Sequence, residues 1–363
     1  MRTSAIFHDY FAIRGGGERL ALDLARGLDA TLVSGYRTED SYPESAFPPD
    51  YRELSAIRIP GTRGLTALSL AFAFARARPL AATYSTRIFS GVTAPFAAPP
   101  LSAPGRNIFY CHTPPRFIYD QRAGYVEELN PVSRLAFAAV GTLFRHAYES
   151  AVGRMHLIVA NSENIRRRIH RYLGRDSTVV YPPVDIEAFR WGEPQGYYLS
   201  TARLSPLKRV DRIVDAFLAL PDKRLVIASG GEQEAELRQR AAGASNISFT
   251  GWTSDAQMRE LVAGAIATVY VPVDEDFGIS PVESMAAGKP VIGVAEGGLL
   301  ETVMPGETGI LLPPGFGPAD LVSAVAALDV NAAAAMRAAC EARARNFTRS
   351  RFLDAMRSLV ETA

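Results

Sequence analysis

The sequence lacks the features that mark several large classes of protein. Its two cysteines, Cys111 and Cys340, lie far apart in unlike contexts. Such a pair provides neither a disulfide framework nor the spacing of a zinc site, and it suits a reducing compartment. No run of about 20 apolar residues is present, so no membrane-spanning helix is predicted. The short apolar stretch near the N-terminus is interrupted by His8 and Asp9, which argues against a signal peptide. We therefore expect a cytoplasmic protein.

Lysine is scarce, and charge is unevenly distributed along the chain. Lys208, Lys223 and Lys289 are the only lysines among 363 residues. The formal net charge is +1, which gives no indication of a nucleic-acid partner. Residues 1–180 carry 22 arginines and no lysine against 15 acidic residues, whereas the remainder has an acidic excess. The asymmetry indicates different partners for the two halves, or it reflects a chance difference between two domains.

One apolar segment, residues 65–82, also carries Arg76 and Arg78. Together with the basic first half, this pattern fits peripheral contact with an anionic membrane, at the inner face of the plasma membrane. A buried helix in an alanine-rich protein explains the same pattern. Both interpretations are carried forward.

The length and the alternation of apolar patterns predict two α/β domains. A chain of 363 residues exceeds one ordinary core. In both halves short apolar runs alternate with helix-like segments, which is typical of parallel sheets covered by helices on both faces. Residues 179–196 interrupt this alternation with prolines and glycines, so we interpret them as a linker.

A cluster of carboxylates and a glycine follows an apolar strand in the second half. Residues 274–290 read DEDFGISPVESMAAGKP, after a strand predicted to end near Val273. Ligands of open α/β sheets bind beyond the carboxyl ends of strands, and a helix N-terminus attracts anions. Glu275 in the loop and Glu283 in the first helical turn could hold a sugar and a ribose beside a phosphate. Alternatively, Ser280 and Glu283 form a capping box, and Glu283 only accepts a backbone hydrogen bond.

A basic pair follows the first predicted strand of the second half. In STARLSPLKRVD, Arg203 and Lys208 lie five residues apart across a Ser-Pro turn. Arginine offers a fork of donors and lysine a point charge, so together they suit a departing diphosphate. The alternative is an ordinary exposed basic loop.

Two further candidates lie in the first half. IRGGGERL lacks both the G-x-G-x-x-G fingerprint and the P-loop pattern, but a glycine loop at a helix start permits close approach of a ligand. The alternative is a tight turn. His112 follows a predicted strand in FYCHTPPRFIYD, where a ligand contact and a structural role are equally reasonable. We interpret Cys111 as a core residue.

Residues 274–276, DED, formally match the D-x-D pattern of metal-dependent sugar-nucleotide enzymes. The basic pair and the helix N-terminus can already balance a diphosphate, and no histidine is clustered nearby in the sequence. We therefore predict no metal site and no cofactor.

Taken together, these motifs resemble the family 4 retaining glycosyltransferases, which have the GT-B fold. EDFGISPVESMAAGKPVIG resembles the family's E-x7-E signature, and ARLSPLKRVD its R-x4-K. GGGE, GGEQEAEL and FTGWTSDAQMRELVAGA also match, so the resemblance covers nearly the whole chain. The form YCHTPPRFIYD is most similar to mannosyltransferases that build bacterial surface polysaccharides.

The resemblance implies a role for each matching residue. Arg203 and Lys208 would hold the diphosphate, Glu275 the donor sugar and Glu283 the ribose. His112 would lie by the sugar, and the backbone near Trp252 would receive the base. The remaining implied donor-site residues are Gly230, Gly231, Phe277, Gly278 and Ile279, and the implied acceptor and phosphate loop is Gly15, Gly16 and Gly17. One departure is Ser229-Gly230-Gly231, where the family often has Gly-x-Gly.

The resemblance also implies an architecture and a reaction. Two doubly wound Rossmann-like domains would face a cleft: an acceptor-side domain of residues 1–182 and a nucleotide-sugar domain of residues 195–346. The C-terminal helix, residues 347–363, would cross back to the first domain. A hexose, with GDP-mannose as the expected donor, would pass to a glycan or polyprenol-linked acceptor with retained configuration and without a metal.

Four alternative interpretations differ in how well they fit the sequence. A UDP-sugar donor is compatible with every motif above. A sugar-nucleotide epimerase can share the fold, but the paired E-x7-E and R-x4-K motifs favour transfer. A sensor or scaffold tends to lose the cationic pair, which is intact here, and a nicotinamide dehydrogenase would need the missing fingerprint.

Overall fold

A computed structural model describes residues 3–59, 63–127 and 130–362. Contacts divide the chain into two compact units. The first runs to Tyr181 and also takes in the residues from Phe352 onward, and the second is Pro182–Arg351. Each unit has one parallel sheet, with α-helices between most of the successive strands.

The first unit contains a seven-stranded sheet of order β3-β2-β1-β4-β5-β6-β7. Its elements, in chain order, are β1 (Ser4–His8), α1 (Gly16–Gly27), β2 (Thr31–Ser34), β3 (Arg52–Glu53), α2 (Arg63–Arg76), α3 (Arg78–Ala81), β4 (Thr86–Ser90), β5 (Arg106–Cys111), α4 (Arg122–Glu127), α5 (Pro131–Val152), β6 (Leu157–Ala160), α6 (Glu163–Leu173) and β7 (Thr178–Val179).

The second unit contains a six-stranded sheet of order β10-β9-β8-β11-β12-β13. Its elements are β8 (Tyr197–Ser200), α7 (Val210–Leu218), β9 (Arg224–Ile227), α8 (Glu234–Arg240), β10 (Ile247–Phe249), α9 (Asp255–Gly264), β11 (Ala265–Tyr270), α10 (Ile279–Ala286), β12 (Val291–Val294), α11 (Leu299–Thr302), β13 (Gly309–Leu312), α12 (Pro318–Ala327), α13 (Val330–Ala335) and α14 (Arg337–Ala344). The final helix, α15 (Arg349–Thr362), returns the chain to the first unit.

The central strands of the first unit are apolar on both faces because each face of the sheet packs against its own buried cluster. In the first unit, the side chains of one face of β1, β4 and β5 join one buried cluster, and those of the other face join a second. The first set includes Phe7, Phe89 and Phe109, and the second includes Ile6, Ile88 and Ile108. Sheets covered on both sides need such strands, which is why the sequence shows short continuous apolar runs.

The packing of α15 accounts for its place in the first unit. Phe352 and Met356 are buried in the same cluster as Ile6. Arg357 Nη2 donates to the Gly27 carbonyl at 3.0 Å, and a side chain at Gly27 would collide with Leu353. The helix is therefore an integral part of this core.

The interpretation of residues 65–82 as one helix is wrong. Helix α2 ends at Arg76, and a second helix, α3, begins at Arg78. Pro79 lacks the amide hydrogen that would continue the helical ladder, so the chain turns at this point. Leu70 and Phe74 are buried as the core interpretation expects, but Phe72 is 64% exposed.

Two boundaries at the carboxylate cluster also differ from expectation. Strand β11 ends at Tyr270, not near Val273. Helix α10 begins at Ile279 with Gly278 as its N-cap, and no side chain caps it. The predicted Ser280–Glu283 capping box is therefore wrong, because Glu283 is the fifth helical residue. The left-handed Gly278, at φ +93°, allows this early start.

Candidate functional site

In the second unit, Lys208 and Glu275 form an ion pair at the carboxyl ends of β8 and β11. Lys208 Nζ lies 2.6 Å from Glu275 Oε2 and 3.0 Å from the Tyr270 hydroxyl. Both charged side chains are about one-fifth exposed, at 23% and 21%. Burial opposes the ammonium form, but Tyr270 and Glu275 outweigh it and raise the pKa of Lys208. The lysine is therefore a permanent positive charge at the sheet edge.

The loop that carries Glu275 is held by backbone contacts. Gly298 N donates to the Glu275 carbonyl at 2.7 Å. A side chain at Gly297 would collide with the Glu275 backbone, and one at Gly298 would collide with Phe277. These two glycines let the chain after β12 approach the loop closely, which fixes the direction of the Glu275 side chain.

A second ion pair, which the sequence analysis did not predict, supports the same loop. The Arg209 guanidinium donates to both carboxylate oxygens of Glu296, at 3.1 and 3.2 Å. Glu296 also accepts from Asp274 N at 3.2 Å. Glu296 lies two residues after the end of β12, so the rule that ligands gather at strand carboxyl ends could have identified it as a candidate.

The remaining donor-site candidates of this unit lie on neighbouring loops. Arg203 is an exposed residue of the loop after β8, and that loop packs on the glycine turn through a 3.1 Å bond from Leu204 N to the Gly230 carbonyl. A side chain at Gly230 would collide with the indole of Trp252, which is 71% exposed, and one at Gly231 would collide with the Leu204 backbone. The two glycines therefore allow the turn to pack closely against the exposed Trp252 ring and the Leu204 backbone.

The candidates at the start of α10 have different environments. Phe277 is 3% exposed, and its ring lies 5.4 Å from that of Phe347, so it anchors the loop in the core. Gly278 caps the helix, whereas Ile279 and Glu283 are partly exposed in its first turns. No side chain caps the start of α10. Its first backbone amides are therefore suited to donating hydrogen bonds to an anion.

In the first unit, the glycine loop opens α1. Gly15 is the N-cap, without a side-chain hydrogen bond, and Gly16 and Gly17 begin the helix. The Glu18 carboxylate folds back so that a side chain on Gly15 would collide with it. Burial, with a smaller effect of Asp9, raises the pKa of Glu18 to about 7.

His112 lies beside this loop. A side chain on Gly17 would bring its Cβ to 3.6 Å from His112 Cε1, so the loop and the ring are neighbours. His112 Nε2 lies 2.8 Å from the Ser90 hydroxyl, and burial lowers the pKa of the ring to about 4. The histidine is therefore neutral at physiological pH. Cys111, one residue earlier, is fully buried as predicted.

The structure thus brings together Lys208 with Glu275 in one unit, and Gly17 with His112 in the other. Sequence reasoning missed Tyr270, Arg209, Glu296 and Ser90, which contact these residues. Among the residues that the structure describes, no three His, Cys, Asp or Glu side chains cluster as a metal site would require. The described helices include none long and apolar enough to cross a membrane.

Family models match both units. Residues 14–188 match the model described as Glycosyltransferase Family 4, and residues 183–347 match the model described as Glycosyl transferases group 1. The two matches together extend over most of the chain. The protein belongs to the family 4 glycosyltransferases.

Several of the curated relatives are mannosyltransferases. Alpha-1,3/1,6-mannosyltransferase ALG2 of Dictyostelium discoideum is 25% identical, with 85% of this chain and 86% of the relative covered. ALG2 of Saccharomyces cerevisiae is 26% identical, with 54% of this chain and 47% of the relative covered. A GDP-mannose-dependent alpha-(1-6)-phosphatidylinositol dimannoside mannosyltransferase of Mycobacterium tuberculosis is 35% identical, over 36% of this chain and 39% of the relative. Apart from the Dictyostelium protein, the chain spans about half of these relatives or less.

Solved structures share the fold across the whole chain. Anabaena Alr3699/HepE in complex with UDP and glucose has a TM-score of 0.77 at 18% identity, with 100% of both chains covered. Sucrose-phosphate synthase from Thermosynechococcus elongatus has a TM-score of 0.79 at 17% identity, with 99% of both chains covered. At these identities the similarity establishes the fold, which is GT-B.

Proposed function

We propose that this glycosyltransferase moves mannose from GDP-mannose to a glycan or lipid-linked glycan in cell-surface polysaccharide synthesis, with retained configuration. The observation that carries the proposal is the Lys208–Glu275 pair beside the uncapped start of α10. It offers a permanent cation for a diphosphate and a carboxylate for sugar hydroxyls on adjacent strand ends. The names of the mannosyltransferase relatives support mannose as the transferred sugar and GDP as the nucleotide of the donor.

The chemistry follows from where charge develops. As the bond between sugar C1 and the diphosphate oxygen breaks, its electron pair stays on the diphosphate, whose negative charge grows. Lys208 and the exposed Arg203 stabilise that charge, and the amides at the start of α10 add a partial positive charge. The acceptor hydroxyl bonds to C1 on the face that the diphosphate leaves, and its proton passes to the departing diphosphate oxygen. Because fixed cations balance the diphosphate, the proposal requires no metal ion.

The remaining residues bind rather than react. Glu275 holds donor-sugar hydroxyls, Glu283 holds the ribose, and the turn of Gly230 and Gly231 lies beside the nucleotide near Trp252. His112 and the Gly15–Gly17 loop serve the sugar and the acceptor side. These assignments rest on the family resemblance and on the location of each residue at a strand end or helix start.

A donor screen tests the proposal. GDP-mannose, UDP-glucose and UDP-N-acetylglucosamine are compared by the shift that each produces in the melting temperature, since a ligand that binds only the folded protein stabilises it. We expect stabilisation by GDP-mannose and none by the UDP-sugars. If only a UDP-sugar stabilises the protein, the mannosyl assignment is wrong and a UDP-sugar transferase replaces it.

We also propose that α2 rests on an anionic membrane, where a lipid-linked acceptor would be reached. Its outer face exposes Leu65, Leu68 and Phe72, at 51%, 39% and 64%. The Arg76 guanidinium lies 5.6 Å from the Phe72 ring, so apolar and basic groups share one surface. That combination is typical of helices that lie at a membrane interface.

Flotation with liposomes tests the membrane proposal. We expect binding to vesicles with anionic phospholipid at low salt, and weaker binding to neutral vesicles. Phe72→Ser should reduce the bound fraction, whereas Leu101→Ser, at a residue 52% exposed elsewhere on the unit, should leave it unchanged. Absence of binding to anionic vesicles at low salt would leave α2 as a core helix with an exposed face.

A further inference from the structure

Three polar side chains form a continuous chain at the carboxyl ends of three adjacent strands. His8 ends β1, Ser90 ends β4, and His112 follows β5. His8 and Ser90 are paired in register across the sheet. The Ser90 hydroxyl oxygen lies 3.1 Å from His8 Nδ1 and 2.8 Å from His112 Nε2. We call this arrangement the His8–Ser90–His112 chain.

The middle of this chain is rigidly fixed. Ser90 is completely buried and His8 is 5% exposed. Both oxygens of the Asp9 carboxylate accept from the turn that follows Ser90: Oδ2 from Val92 N at 2.7 Å, and Oδ1 from Thr93 N and Ala94 N at 2.8 and 2.7 Å. His8 at the end of β1 therefore contacts the Ser90 hydroxyl, and Asp9, the next residue, holds the turn after it.

Proton counting shows what the chain can do. Burial, with a smaller effect of His112, lowers the pKa of His8 to about 3, and burial lowers that of His112 to about 4. Near pH 7 each imidazole is neutral, with one N–H donor and one acceptor nitrogen. The Ser90 hydroxyl has a single hydrogen, so it donates to one ring and accepts from the other. The tautomers of the two rings are thereby coupled.

The other nitrogen of His112 is available to a ligand. Among the described residues, the hydrogen bond of His112 is the one between Nε2 and the Ser90 hydroxyl. The ring is partly exposed and lies against Gly17, where the absence of a side chain leaves it uncovered. Nδ1 is therefore the nitrogen that can meet a substrate hydroxyl.

We propose that Ser90 and His8 are positioning residues that hold the His112 imidazole in one orientation and one tautomer. His112 Nδ1 then meets the substrate with a fixed donor or acceptor character, and no free energy is lost in orienting it. The inference rests on the proposed function in so far as His112 contacts the donor sugar or the acceptor. Its physical content, the coupled tautomer, can be measured without any turnover.

The variants are chosen to separate positioning from folding. Ser90→Ala removes the link. Ser34→Ala is the matched control, because Ser34 is equally buried, pairs with His8 on the opposite side of β1, and bonds instead to the Tyr51 hydroxyl at 2.7 Å. His8→Leu breaks the chain at its far end, and His8→Asn retains a polar group close to the place of Nδ1.

Nitrogen-15 NMR of labelled imidazoles provides the first measurement, since the chain has only five histidines. The wild type should give His112 the shifts of a single tautomer, and Ser90→Ala should give averaged shifts. Ser34→Ala should match the wild type. If the wild-type ring is already averaged, or if Ser90→Ala keeps the single tautomer, the proposal is overturned whatever the enzyme transfers.

Kinetics provide the second measurement. Loss of one orienting hydrogen bond should reduce kcat by roughly tenfold in Ser90→Ala and His8→Leu, with a smaller change in the donor KM. His8→Asn should recover part of that loss, which a purely structural role would not predict at equal melting temperature. Full kcat in Ser90→Ala would overturn the positioning role. Failure of the wild type and of every variant to bind the donor would instead contradict the proposed function.

Discussion

Lys208 is the residue on which the proposed chemistry depends most. Its contacts with Glu275 and Tyr270 keep the ammonium in place before any ligand arrives. A diphosphate would compete with Glu275 for that ammonium and release the carboxylate toward sugar hydroxyls. In the proposed mechanism, the R-x4-K and E-x7-E motifs would thus act through the contact between Lys208 and Glu275.

Lys208→Ala should therefore lower kcat by about a hundredfold, because a donor aimed at charge that develops in the transition state is typically worth ~3 kcal/mol. Lys208→Arg should recover only part of the rate, since a planar fork does not replace a point charge. Lys223→Ala is the control and should leave kcat nearly unchanged. Full kcat in Lys208→Ala at saturating donor and acceptor would remove the diphosphate contact from the mechanism.

Glu18 predicts a pH dependence of stability. Burial raises its pKa in the folded state from 4.5 to about 7, so between these values the folded protein binds more protons than the unfolded chain. This contribution to stability is present below about pH 4.5 and is lost as pH rises toward 7. Glu18→Gln should gain stability relative to the wild type over that range, by at most about 3 kcal/mol. A pH-independent difference in the unfolding free energy would contradict the assignment.

At the scale of elements, the start of α10 depends on one glycine. Gly278 has φ +93°, and a Cβ there would lie 3.3 Å from Leu299 Cδ1. Because the left-handed conformation is costly for residues with a side chain, α10 would otherwise begin later and its first amides would face elsewhere. The glycine therefore links the position of the Glu275 loop to the helix N-terminus.

Gly278→Ala should destabilise the protein by about 1–2 kcal/mol and raise the donor KM. Gly141→Ala is a matched control in the interior of α5, where a Cβ meets nothing within 4 Å. That control should be stabilising by about 0.5–1 kcal/mol, since alanine is the better helix former. Chemical denaturation of both variants provides the comparison, and equal effects would show that the left-handed conformation is unimportant.

For the whole molecule, the sequence predicted the α/β architecture because apolar periodicity and glycine or proline boundaries are local. Cys111, which the sequence analysis interprets as a core residue, is fully buried because it ends the apolar strand β5. The early start of α10 escaped prediction because the conformation of Gly278 is set by contacts with residues distant in sequence.

Pairs that span long stretches of chain could not be predicted from local pattern. Lys208 meets Tyr270 across 62 residues, Arg209 meets Glu296 across 87, and His8 meets Ser90 across 82. Each pair forms because parallel strands bring their carboxyl ends to one sheet edge. The rule that ligands bind at the carboxyl ends of strands identifies the candidate residues. The strand order of the folded sheet determines which of these residues are in contact.

Metal independence is a prediction for the whole enzyme. In the proposed mechanism, Lys208, Arg203 and the start of α10 would supply the positive charge that a divalent ion would otherwise provide. Transfer should therefore continue after treatment with EDTA, at an unchanged initial rate. A rate that falls with EDTA and returns with Mn²⁺ or Mg²⁺ would favour the D-x-D interpretation of residues 274–276 instead.

The most direct measurement is the reaction itself. GDP-mannose is incubated with the enzyme and octyl α-mannoside as acceptor, GDP release is followed, and the anomeric configuration of the product is read by proton NMR. The account predicts GDP release that depends on the acceptor and a product with a new α-mannosidic linkage. GDP release at the same rate without acceptor, a sugar-nucleotide product altered at a ring carbon, or a β-linkage would contradict it.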